Sequence, residues 1–255
     1  MPDSEQQRLC FRAREFKGSR FRCLLATHKS QSEVVDFLNS LVRPFAAVTT
    51  ADKFMPEGFW KPDEARLGKS PGFLNDMQRR TVTEWWLAAP ERANTPNWDL
   101  VSTCTIGGRA GLLLVEAKAH VGELKPDDSC GARDEHNRKR IKDDIEEVTR
   151  TLGEGWRLSA DSHYQLSNRF AWAWKVANLK IPVVLVYLGF LNAAEMLHPF
   201  GDHEAWERCL LAYAEGVVPR AIWNSTGILV NNIPVIPLIR SAEVNVSTVI
   251  GGHSV

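Results

Sequence analysis

Apolar residues recur at helical spacing in several stretches of the chain, and each such stretch predicts a helix with one buried face. One of these helices is highly charged, and its six basic and six acidic residues predict a solvated face with pairs of opposite charge four residues apart. We assign no chemistry to that helix. The predicted helices cover residues 30–42, 74–89, 133–152, 161–180 and 203–216.

Shorter apolar runs without a helical period predict strands. The run at residues 20–28 precedes the first helix, and the run at 181–190 is continuously apolar, as in a strand buried on both faces. Pro234 and Pro237 place the last strand, residues 233–239, at an edge of the sheet, because proline cannot donate a hydrogen bond to a neighbouring strand.

The order of these elements predicts an α/β fold with a mixed central β-sheet flanked by helices. We divide the chain into two parts. Residues 1–75 form an N-terminal extension of strand, helix and long loop that packs on the core. Residues 76–255 form the core, which ends in an additional C-terminal helix and strand.

Residues 97–120 predict a β-hairpin whose apolar second strand runs directly into Glu116 and Lys118. If Gly107 and Gly108 form the turn, opposed residues have numbers that sum to 215. Asp99 then lies opposite Glu116, and Lys118 lies on the same face because side chains alternate along a strand.

Two carboxylates that face each other across a hairpin repel, and a divalent cation would resolve the conflict. Ligation by oxygen atoms suits Mg²⁺ or Mn²⁺, and a lysine beside the metal can activate a bound water or stabilise negative charge. On spacing alone, the alternative stays open that Glu116 and Lys118 form a surface pair at an exposed strand end, without chemistry.

The composition is that of a soluble globular protein: 44% of the 255 residues are hydrophobic and 24% are charged. The five cysteines are scattered without a Cys-x-x-Cys pair, which predicts free thiols in a reducing compartment. The N-terminal residues lack the apolar stretch of a secretory signal and the longest apolar run is too short to span a bilayer, so we expect a cytoplasmic protein without a membrane partner. Basic and acidic residues balance at 31 each, so a nucleic-acid surface would have to be a local patch.

Asp99, a spacer of sixteen residues and then Glu116-Ala117-Lys118 after an apolar strand resemble the motif of the PD-(D/E)XK, restriction-endonuclease-like, nuclease superfamily. Glu84 in the preceding helix and Gln165 in a later helix that leads into an apolar strand match the order of elements in that superfamily. The resemblance covers residues 84–190. Three features depart from it. Trp98 stands where the name-giving proline would be, and Arg169 stands four residues after Gln165, where some exonuclease-like members carry a tyrosine. Only two of the three strands of the central meander are found.

The resemblance implies that Asp99, Glu116 and Glu84 hold Mg²⁺ or Mn²⁺, that Lys118 orients or activates the attacking water, and that Gln165 belongs to the catalytic set. It implies a metal-dependent nuclease that hydrolyses phosphodiester bonds, and we expect the nucleic acid to be DNA. A homodimer is compatible with this interpretation.

Two other functions stay open. The chain could be a catalytically inactive domain of the same fold that binds nucleic acid or a protein partner. It could also be an unrelated α/β enzyme that acts on small molecules, which would be favoured if the sheet placed Asp99 and Glu116 on opposite faces.

Three weaker signals have two interpretations each. Gln165 and Arg169 lie one helical turn apart and could reach a phosphate together, or Ser162 and Gln165 could form the capping box that starts this helix. His120 lies on the face of Glu116 and Lys118, as a surface histidine or as a ligand. The tryptophans of the helices could stack on bases or fill the core.

Overall fold

The computed structural model of the protein describes residues 17–246. The helices are α1 (Gly18–Thr27), α2 (Gln31–Val42), α3 (Asp76–Trp86), α4 (Glu135–Leu152), α5 (Tyr164–Asn178) and α6 (His203–Tyr213). The strands are β1 (Ala46–Ala47), β2 (Phe54–Met55), β3 (Leu100–Ile106), β4 (Arg109–Lys118), β5 (Val183–Leu191), β6 (Ile228–Val230) and β7 (Ile233–Glu243).

The strands form one mixed, seven-stranded sheet. Its order is β1-β3-β4-β5-β7-β6, and β2 pairs with the same edge of β3 as β1 does. β4, β5 and β7 run parallel to one another, whereas β3 and β6 are antiparallel to their neighbours. The predicted fold class, an α/β protein with a mixed central sheet flanked by helices, is confirmed.

Alternating side chains of the central strands divide the interior into two cores, one on each face of the sheet. Leu112 and Leu114 of β4 pack in the larger core, together with apolar residues of α3, α4, α5 and α6. Leu113 and Val115 pack in the smaller core, against residues such as Leu38 of α2. The same alternation directs the last residues of β4, Glu116 and Lys118, to the face of the larger core.

The prediction of a strand at residues 20–28 is wrong, since these residues belong to helix α1. Eight of the ten residues of α1 are buried, because α2, β4 and the loop at residues 58–60 surround it. A helix enclosed in this way has no continuous polar face, so its sequence lacks the helical period. Even Arg22 is buried, where its guanidinium donates to the carboxylate of Glu195, with 2.8 Å between Nη2 and Oε2.

The third antiparallel strand beside β3 and β4 consists of two short pieces. β1 follows α2, and β2 lies in the stretch that the sequence predicts as a long loop. β1 and β2 are antiparallel to β3, with Ala46 opposite Ile106 and Phe54 opposite Ser102. Each has only two residues, too few for an alternating pattern to appear in the sequence. Together with β3 and β4, they form an antiparallel part of the sheet, which precedes the parallel strands.

The prediction that β7 is an edge strand is also wrong, because β7 lies between β5 and β6. β6 is so short that its pairing with β7 ends at Val235. Pro237 lies beyond that point, and its carbonyl accepts a hydrogen bond from the backbone N–H of Asn224 instead of from a strand. The nitrogen of Pro237, which carries no hydrogen, therefore points to the side of β7 that has no strand partner, and proline is tolerated there.

Several local predictions are confirmed. The four described cysteines are free, as predicted, whereas Cys10 lies outside the described residues. The tryptophans of α3 and α5 pack against one another in the larger core. Within residues 17–246, no helix combines the length and the apolar character needed to cross a bilayer.

Candidate active site

The β3–β4 hairpin has the register that its Gly-Gly turn predicts. Ile106 pairs with Arg109, and Leu100 pairs with Val115. Asp99 is the residue before β3, so the same register places it beside Glu116, and both carboxyl groups line one open cleft of about 620 Å³. The two acids therefore face the same side of the sheet, and the condition that would have favoured an unrelated small-molecule enzyme is not met.

Lys118 lies inside this cleft, almost fully buried. Its ammonium group donates to Glu116 Oε1 at 2.5 Å and to Gln165 Oε1 at 2.6 Å. Gln165 belongs to the first turn of α5, so the helix start and the end of β4 jointly fix the position of the lysine. The structure thus brings together Asp99, Glu116, Lys118 and Gln165 of the predicted site residues.

The capping box proposed for Ser162 and Gln165 does not form. The residue that precedes α5 is His163, which has a left-handed backbone (φ 47°) and makes no side-chain cap. Asp128 supplies the cap instead, because its Oδ2 accepts from the backbone N–H of Gln165 at 2.8 Å. This leaves the Gln165 side chain available for Lys118.

Glu116 is bound by two cations, one at each carboxylate oxygen. Arg169 Nε donates to Oε2 at 2.5 Å, and the guanidinium of Arg169 lies over the Trp98 ring, 4.5 Å from its centroid. Burial acts to raise the pKa of Glu116, but the charges of Arg169 and Lys118 outweigh burial and hold the pKa below its usual value. Glu116 is therefore ionised at neutral pH.

Asp99 lies in the opposite electrostatic situation. Burial and, after it, the negative charge of Glu116 raise the pKa of Asp99 to about 7, although Lys118 and the backbone N–H of Ala117 act against the rise. Asp99 Oδ2 accepts that N–H at 2.7 Å, whereas Oδ1 accepts no hydrogen bond from any residue in 17–246. At neutral pH, Glu116 thus carries a full negative charge, whereas Asp99 is only partly ionised.

The residues fit a divalent cation in part. Oδ1 of Asp99 has no partner in the described chain, and a cation would relieve the repulsion that raises the Asp99 pKa. Among residues 17–246, however, no three His, Cys, Asp or Glu side chains are arranged to hold a metal. Asp99 and Glu116 would supply two ligands and water or phosphate oxygens the rest, in the manner of Mg²⁺, with Lys118 and Arg169 competing for Glu116.

Glu84 does not line the cleft. It is exposed on α3, where its Oε1 accepts from Arg80 Nε at 2.6 Å. Val82, Trp85 and Trp86 are the residues that α3 turns towards the core, and Glu84 lies on the other side of the helix. The predicted metal ligand is therefore a surface residue paired within its own helix.

Other acids line the cleft that the sequence did not indicate. Glu64 comes from the loop before α3, and its Oε2 accepts from Asn97 Nδ2 at 2.7 Å. Glu123 and Asp128 come from the segment after β4, and His120 lies beside them, partly exposed. Glu64 lies in a loop without periodicity, so no signal in the sequence could have placed it here.

No family model, curated protein or solved structure matches this chain. The chemistry of the cleft is therefore inferred from its own residues.

Proposed function

We propose that the protein is a metal-dependent nuclease that hydrolyses phosphodiester bonds, with DNA as the expected substrate and Mg²⁺ or Mn²⁺ as the metal. One observation carries the proposal. Asp99 and Glu116 meet in one cleft in the hairpin register that the motif requires, with the Lys118 ammonium group 2.5 Å from Glu116 Oε1.

Four residues of the cleft have roles in this proposal. Asp99 and Glu116 would hold the metal, which would polarise a phosphoryl oxygen and lower the pKa of the attacking water. Lys118 lies beside that position with its charge retained, since burial lowers its pKa but the neighbouring carboxylates more than compensate. Its ammonium group can orient the attacking water and stabilise negative charge that develops on the phosphate, while Gln165 holds the lysine in place.

The topology supports the same interpretation. The edge strands β1 and β2 supply the third antiparallel strand beside β3 and β4, and α5 carries Gln165 ahead of the parallel strand β5. This order of elements is the one that the resemblance to the restriction-endonuclease-like superfamily implies. We expected Glu84 as an additional acid of the cleft, and in its place Glu64 is one of the acids that line it.

The inactive alternative also has an observation in its favour. Both oxygens of Glu116 are occupied by Lys118 and Arg169, so the four charged groups of the centre balance without a metal when Asp99 is ionised. A domain that binds nucleic acid or a protein without cutting would keep this arrangement under all conditions. A nuclease would exchange one of the two cations for a metal.

One experiment distinguishes the nuclease from the inactive domain. The purified protein is incubated with linear, circular and single-stranded DNA and with RNA, each with Mg²⁺, Mn²⁺ or EDTA. We expect cleavage of at least one DNA substrate with Mg²⁺ or Mn²⁺ and none with EDTA. Cleavage of circular DNA would identify an endonuclease. Binding without cleavage under every metal condition would favour the inactive domain.

A further inference from the structure

A second cleft, of about 860 Å³, lies at the C-terminal end of α1. We call it the aromatic cleft, because Phe54, Trp60, Phe73 and His28 line it, together with three lysines, Lys29, Lys53 and Lys61. Trp60 is the notable member, since 74% of its surface is exposed. A large aromatic side chain this exposed has apolar area available for a partner.

The backbone that carries Trp60 is held in a defined position. The N–H of Gly58 donates to Thr27 Oγ1 at 3.1 Å, and the N–H of Phe59 donates to His28 Nδ1 at 3.3 Å. The His28 ring also contacts the Trp60 ring, with 5.6 Å between their centroids. The end of α1 therefore presents Trp60 as a fixed surface, which reduces the entropy lost when a ligand stacks on it.

Gly58 is needed for this arrangement. Its φ is +62°, and a Cβ atom there would lie 2.7 Å from the backbone of His28. The loop can approach α1 this closely only with glycine.

The three lysines of the aromatic cleft outnumber its two acids, Asp52 and Glu57. Lys61 is paired with Glu57, and the carboxylate of Asp52 accepts hydrogen bonds from two threonines. Lys29 and Lys53 form no ion pair with any residue in the described part of the chain. A ligand with a negative backbone and flat rings complements this combination of lysines and an exposed indole.

The aromatic cleft is connected to the candidate active site by two segments. α1 has Ser19 at the active-site cleft and Thr27 at the aromatic cleft, a separation of about 12 Å along a helix that rises 1.5 Å per residue. The loop that carries Trp60 also carries Glu64, which lines the active-site cleft.

We propose that the aromatic cleft binds an unpaired stretch of the nucleic-acid substrate, with a base stacked on Trp60 and with Lys29 and Lys53 at the phosphates. This inference rests on the proposed function, whose substrate class it narrows to nucleic acid with a single-stranded segment. Stacking requires an unpaired base, because the face of a base inside a duplex is covered by its neighbours.

Binding of a fluorescently labelled, twelve-nucleotide single-stranded DNA, measured by anisotropy in EDTA, tests the proposal without catalysis. We expect Trp60→Ala to weaken binding roughly 5- to 150-fold, as for the loss of one base–aromatic stack, and Trp60→Phe to retain most of the affinity. Leu229→Ala is the matched control, since Leu229 is 70% exposed on β6 at the opposite edge of the sheet. It should bind like the wild type.

The same titration with a blunt duplex completes the test, and there Trp60→Ala should change little. Equal binding of single-stranded DNA by the wild type and Trp60→Ala, or no binding by the wild type, would overturn the proposal and leave a protein as the occupant of the cleft. Equal losses on single strand and duplex would also overturn it, because the contact would then not be a base stack. Trp60-dependent binding by a protein that cleaves nothing with Mg²⁺ would support this inference and refute only the nuclease activity.

Discussion

Replacing Asp99 by asparagine removes a carboxylate that the folded protein holds in an unfavourable place. Asparagine has nearly the same shape, and its carbonyl can still accept the backbone N–H of Ala117, which Asp99 Oδ2 accepts at 2.7 Å. The substitution therefore removes chiefly the charge, and with it the repulsion by Glu116. We expect the metal-free variant to be more stable than the wild type at neutral and alkaline pH.

The size and the sign follow from the pKa of Asp99. An unfolded aspartate has a pKa of about 3.9, and the folded value is about 7, a difference of about three units at ~1.4 kcal/mol each. Between these values the folded state keeps a proton that the unfolded state has lost, so the free energy of unfolding falls as the pH rises. Above pH 7, the free energy of unfolding that Asp99→Asn gains is therefore at most about 4 kcal/mol. Because part of Asp99 is open to the cleft, solvent screens its charge, and we expect a gain of about 1–3 kcal/mol.

Urea denaturation in EDTA at several values between pH 4 and pH 8 measures this gain. The difference in unfolding free energy between Asp99→Asn and the wild type should be small near pH 4, grow with pH, and level off above pH 7. Asp63→Asn, on the exposed loop before α3, is the control and should change stability by less than about 0.5 kcal/mol. A variant that is several kcal/mol less stable at pH 8, or a difference that does not vary with pH, would refute the reasoning.

Two further predictions concern the acids of the cleft and the packing beneath it. Glu64→Ala should weaken Mg²⁺ binding and slow cleavage, because Glu64 lines the cleft, whereas Glu84→Ala should change neither, because its carboxylate is paired with Arg80 on the surface. Calorimetric titration with Mg²⁺ and a cleavage assay check both, and a loss with Glu84→Ala alone would contradict the assignment. Gly189→Ala should destabilise the protein by about 1–3 kcal/mol, since its Cβ would lie 2.5 Å from the Trp206 ring. An unchanged melting temperature would show that this ring moves freely.

The part of the site that the sequence could predict is the part that depends on local rules. The turn at Gly107 and Gly108 sets the hairpin register, and side-chain alternation then puts Asp99, Glu116 and Lys118 on one face. None of these steps requires knowledge of the rest of the fold. The same is true of the long amphipathic helices, which are buried on one side, and of strand β5, whose continuous apolar run follows from burial on both faces.

The parts that could not be predicted depend on contacts between distant segments. α1 is surrounded on nearly all sides, so its sequence has no helical period. Glu64 reaches the cleft because its loop is held against the start of β3, where the N–H of Trp98 donates to the carbonyl of Ala65 at 2.8 Å. The order of elements predicts Glu84 as a ligand, but the packing of Trp85 and Trp86 decides which face of α3 points to the core, and Glu84 lies on another face.

The most direct test of the central claim is the rate at which purified wild type and Asp99→Asn cleave one labelled DNA with Mg²⁺. The wild type should cleave with Mg²⁺ and not with EDTA. Asp99→Asn should be folded, at least as stable as the wild type in the absence of metal, and without detectable cleavage, while Glu84→Ala purified in the same way should retain full activity. Cleavage by folded Asp99→Asn at the wild-type rate would contradict the assignment of this cleft as the active site.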